Sequence, residues 1–138
     1  MISMIDVRNM DKLEVVHHIA EQWSSGRVLP GLSENMNTCV YYQKGEGVAP
    51  PRMCAFGVAM GTEMAARVPN CGAEEIIESF VDEEHLPNFI NEEQGITKAW
   101  WQKVQRVHDR LMLTLGPNAT KEQRERFAPA FEELAQMV

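Results

Sequence analysis

Cys54 and His108 are the two residues of this 138-residue chain that could combine into a catalytic pair. A cysteine nucleophile acts as its thiolate and needs a base within hydrogen-bond reach. Cys54 and Cys71 each precede or open a predicted helix, where aligned amide dipoles lower a thiol's pKa. His108 falls mid-helix on an apolar stripe with Trp100 and Leu111, so its ring is expected to point inward and would serve as the base. Asp109 lies about 100° further around the helix and is not expected to orient that ring. Asn35 or Asn37 would have to supply the third group. The competing reading makes Cys54 a small buried thiol and His108 a core histidine with its hydrogen bonds satisfied.

Cys39, Cys54 and Cys71 are an odd number of cysteines with no C-x-x-C pair, as expected of reduced thiols rather than a disulfide framework. With His108 as a fourth ligand, their intervals of fourteen and sixteen residues fit no familiar zinc spacing, and no metal is expected. The chain has no phosphate-cradling glycine loop, no H-E-x-x-H and no nucleophile elbow, so no cofactor is expected either.

The second chemical signal is charge. The net charge is −7, and it is unevenly spread. Residues 1–73 carry six bases and seven acids, and residues 98–138 carry seven bases and five acids. Between them, the 24 residues 74–97 hold Glu74, Glu75, Glu78, Asp82, Glu83, Glu84, Glu92 and Glu93, with no Lys or Arg. Nucleic-acid backbones are bound by clustered positive charge, so direct nucleic-acid binding is not expected. A partner with a basic surface is the natural match for the acidic stretch. An ordinary solvated face is the alternative.

The elements that must hold these residues follow from periodicity. Length and composition fit one globular domain, 1–138, with enough chain to build its own core. The N-terminus mixes acids and bases without an apolar run, so it does not read as a signal peptide, and the cytosol is the expected location. The longest apolar run, Met53–Met60, is far short of the ~20 residues that cross a bilayer, so no membrane association is expected. A first helix spans about 11–23, with Leu13, Val16, Ala20 and Trp23 inward, Asn9 as N-cap, His17 and His18 partly exposed, and a stop at Ser24-Ser25-Gly26. Residues 38–42 read as a short strand. Residues 53–66 are apolar on nearly every face and predict a central helix, in which Gly57 and Gly61 admit a close backbone neighbour. Residues 73–81 form an amphipathic helix with Ile76, Ile77, Phe80 and Val81 inward, followed by a loop interrupted by Pro87. The longest helix spans about 97–115. A capping box at Thr120–Gln123 opens a last helix that buries Phe127, Phe131, Leu134 and Ala135, with Pro129 kinking or restarting it. The fold class is mainly α: four to five helices around the central 53–66 helix, with at most a short strand or hairpin near 38–42.

Four short motifs run through these elements: Cys39-x-Tyr41, Cys54-Ala55-x-Gly57, Gln105-x-x-His108-Asp109 and Phe131-x-x-Leu134-Ala135. Over residues 36–136 the pattern resembles small uncharacterised proteins common in bacteriophages, prophages and other mobile elements. Tyr42 stands where that family has Arg, and Val104 where it has Leu. The resemblance implies a mobile-element setting rather than a mechanism. With the charge, it leads to the expectation of a non-enzymatic accessory protein. Its acidic residues would bind a host protein with a basic surface, such as a nucleic-acid-binding defence complex, and inhibit it. The alternatives are a cysteine-dependent hydrolase or transferase using Cys54 and His108, and a structural module that forms a homo-oligomer.

Overall fold

Alternation of apolar and charged residues at the N-terminus starts the architecture. Ile5 and Val7 are buried while Asp6 and Arg8 face solvent, as in a strand of period two. In the computed structural model, which describes residues 2–30, 40–45, 47–69, 71–115, 120–126, 129 and 133, this segment belongs to no helix or strand. It bonds from the Ile5 amide to the Ala59 carbonyl (2.9 Å) and from the Val7 amide to the Asn88 carbonyl (3.0 Å).

Helix α1 (Lys12–Ser24) follows. Its N-cap is Asp11, not Asn9: Asn9 lies in a turn, whereas Asp11 is extended and accepts the Glu14 amide at 2.8 Å. The Glu14 carboxylate returns the bond to the Asp11 amide, completing a capping box. The buried face is Val15, Val16, Ile19, Ala20 and Trp23, and Leu13 is exposed. His17 is exposed and His18 half-buried, as expected. Two two-residue strands, β1 (Leu29–Pro30) and β2 (Arg52–Met53), pair in parallel, and Gln43 bridges Arg52 on the other side. Extended pairing thus falls around 29–30, 43 and 52–53; residues 40–42 form no ladder, and 38–39 lie outside the described residues.

The apolar run is central. Every residue from Met53 to Met60 is buried. It is not one helix over 53–66, however: Met53 belongs to β2, Cys54 is extended, and helices α2 (Ala55–Met60) and α3 (Thr62–Ala65) meet at a break at Gly61. Gly61 adopts φ 84°, ψ 161°, a conformation that L side chains rarely take. The N-terminal segment seats itself in the break: the Ile2 amide donates to Thr62 Oγ1 and the Thr62 amide to the Ile2 carbonyl, both at 2.9 Å. A β-carbon at Gly61 would lie 2.7 Å from the Met4 amide nitrogen, and one at Gly57 would collide with the Tyr41 carbonyl. Both glycines therefore admit close backbones, each from a different segment.

Helix α4 (Ala73–Ser79) buries Ala73, Ile76 and Ile77; because it ends there, Phe80 swings out to 47% exposure and Val81 is only half-buried. Two short 3-10 turns follow, Leu86–Asn88 with Pro87 in its first turn and Glu92–Gln94 closed by left-handed Gly95. Helix α5 (Lys98–Leu115) lays Trp100, Trp101, Val104 and His108 inward against α2 and α4. Phe56 is the hub, with the Trp101 ring at 5.1 Å, Phe89 at 5.6 Å and Tyr41 at 6.2 Å. The Thr120–Gln123 capping box is present, with bonds of 2.8 and 3.2 Å, and opens α6 (Lys121–Glu125). The expected burial of Phe127, Phe131, Leu134 and Ala135 lies outside the described residues, as do the side chains of Leu111 and Leu115. The molecule is mainly α, and among the described residues no helix is long and apolar enough to cross a membrane.

Candidate functional site

Helix α2 is only six residues long and its N-cap, Cys54, makes no side-chain capping bond, so its first amides need acceptors from elsewhere. Gln105 of α5 supplies one. Its Oε1 accepts the Phe56 amide at 3.1 Å, while its Nε2 donates to Asp109 Oδ1 at 3.3 Å. The same Asp109 oxygen lies 3.4 Å from His108 Nδ1. The Gln105-x-x-His108-Asp109 motif is thus a clasp that closes on the start of the Cys54-Ala55-x-Gly57 motif. The expectation that Asp109 could not reach the His108 ring is corrected: a short side chain on the adjacent residue bends back along the helix surface. Trp23 completes the assembly, stacking on His108 at 5.2 Å and donating its indole N–H to the Met53 carbonyl at 3.1 Å.

Cys54 and His108 are both fully buried. Burial pushes the His108 pKa below its ordinary 6.5, and Asp109 acts in the opposite direction. Cys71 is half-exposed, and its thiol is shifted up rather than down. Desolvation is the largest cause, and the neighbouring Glu75 carboxylate adds to it. The helix-start effect expected for Cys71 is outweighed by desolvation, with that carboxylate adding to it. Asn35, Asn37 and Cys39 lie outside the described residues.

The acidic residues are disposed differently. Glu74, Glu75, Glu78, Asp82, Glu83, Glu84, Glu92 and Glu93 are all exposed. Their support is rigid in the sense that its backbone is fastened at many points. Asn88 Nδ2 donates to the Ile5 carbonyl at 3.1 Å. Asn91 Nδ2 reaches the Val7 carbonyl at 2.9 Å and those of Arg8 and Met10 at 3.4 Å, while its backbone exchanges two 2.9 Å bonds with Ile96. Phe89 and Ile96 are buried, and the Trp101 indole donates to the Phe89 carbonyl at 2.6 Å.

Asp82 and Glu78 have local structural tasks. Asp82 accepts the His85 amide at 2.9 Å and lies 2.6 Å from His85 Nδ1, which holds its carboxyl below the usual range. Glu78 pairs with Lys98 at 2.7 Å, which raises the lysine's pKa. Sequence reasoning missed the anchoring asparagines and the pairing of Lys98, a residue just beyond the acidic stretch. The available signal was the pair Asn88 and Asn91, side chains that can bridge backbone groups, placed between apolar Leu86 and Ile96.

Among the described residues, no three His, Cys, Asp or Glu side chains are grouped as a metal site would require. Comparison with protein-family models, with curated proteins and with solved structures finds no match for this chain.

Proposed function

We propose that this chain is a binding protein of mobile-element type, whose acidic face, residues 74–93, engages a basic surface on a host protein. The target surface is of the kind that holds a nucleic-acid backbone, and occupying it would inhibit the target. One observation supports this most: all eight carboxylates are exposed on a segment whose backbone is tied down by Asn88, Asn91, Phe89 and Ile96. A pre-ordered charged face loses little conformational entropy on binding, whereas a loose acidic tail would lose much. The buried Gln105 contributes by holding α2 to α5 through its bond to the Phe56 amide.

The test is capture from a bacterial lysate on the immobilised chain, beside a variant carrying E83Q, E84Q, E92Q and E93Q. These four positions spare Asp82 and Glu78, so the fold is retained. Proteins with basic surfaces are expected on the wild-type chain and absent from the variant. Equal capture of the same proteins by both would refute the proposal.

A further inference from the structure

Three of the eight acidic residues border a hollow of about 390 Å³, toward the lower end of the roughly 300–1,000 Å³ that ligand pockets occupy. Four apolar side chains line it: Ile77 of α4, then Val81, Leu86 and Ile90 of the following segment. Leu86 is 37% exposed although it is large and apolar. Three exposed carboxylates, Glu78, Glu83 and Glu92, share the same lining. Lys98 lines it too, but its ammonium group is engaged by Glu78 at 2.7 Å.

We propose that this hollow seats a basic amphipathic segment of the partner, in which an apolar side chain is flanked by lysines or arginines. The inference rests on the acidic-face reading and adds the chemistry of the bound segment. An anionic occupant would meet Glu78, Glu83 and Glu92 unfavourably. A purely apolar one would strip water from those carboxylates without replacing it. A purely basic one would leave Val81, Leu86 and Ile90 wet. Lysine and arginine satisfy both demands, since their methylene stems lie along apolar surface while their heads reach the surrounding carboxylates. An apolar side chain between them would fill the hollow and displace water from Leu86.

The test uses two short synthetic peptides of equal charge, one of leucines and lysines in amphipathic order, the other with every leucine replaced by serine. Their binding to the full chain is read by fluorescence anisotropy. The leucine peptide is expected to bind roughly tenfold or more tightly than the serine peptide. Leu86→Gln is expected to erase that advantage and leave the serine peptide's affinity unchanged. Leu86 is partly exposed, so this variant should fold, and the comparison of peptides on the wild-type chain needs no variant. Equal binding of both peptides, or no effect of Leu86→Gln, overturns the inference while leaving the acidic-face reading standing. Binding of neither peptide overturns both.

Discussion

Gln105 connects the two motifs that the sequence brought to attention, and its side chain has no solvent to fall back on. Replacing it with leucine keeps the volume similar but leaves the Phe56 amide without its acceptor. The expected loss is about 1–3 kcal/mol, measured by equilibrium urea unfolding. His108 gives a second prediction. Its folded-state pKa is below 6.5, so the unfolded chain takes up a proton more readily than the folded one. The stability contributed by neutral His108 is complete above about pH 6.5. It declines as pH falls from there toward the lower folded-state value, with a slope approaching 1.4 kcal/mol per pH unit. His108→Gln should flatten that part of the profile, as followed by thermal unfolding between pH 7 and 5. The inward direction of His108 was readable from its stripe with Trp100 and Val104. That Gln105 and Asp109 converge beside it was not, because the donor that Gln105 accepts, the Phe56 amide, sits 49 residues away in sequence.

Helix boundaries show what local pattern can and cannot specify. The capping box at Thr120 and the amphipathic faces of α1 and α5 follow from near-neighbour chemistry, and the sequence carries them plainly. The break at Gly61 does not follow from local pattern, since an apolar run containing a glycine is compatible with a continuous helix. What breaks it is a distant segment, residues 2–5, bonding to Thr62 and Ala59. Gly61→Ala is expected to cost about 1–3 kcal/mol from the positive φ alone, and more from contact with the Met4 amide. Gly26→Ala separates the two effects: Gly26 also has a positive φ, 79°, but open space where the side chain would go. Chemical denaturation of the two variants should find Gly61→Ala the more destabilised. Equal losses would mean that the seating of the N-terminal segment in the break contributes nothing.

Across the whole molecule, charge and burial divide the work. Cys54 and His108 are each fully buried, while the acidic residues stand outside on a fastened segment. The charge imbalance was legible at once in the residue counts. Its fastening and its apolar hollow were not, because they depend on side chains of α4, α5 and the segment between them meeting one another and the backbone of the distant N-terminal segment. Exposed charges act over a Debye length of about 8 Å at physiological salt, so binding through this face must weaken as salt screens it. The decisive quantity is the affinity of a captured partner measured from low to high sodium chloride, for the wild-type chain and for the chain with amides at 83, 84, 92 and 93. Affinity should drop steeply with salt for the wild type, and the amide chain should bind at least tenfold more weakly at low salt with a shallower dependence. Superimposable curves for the two chains would contradict the assignment of binding to the acidic face.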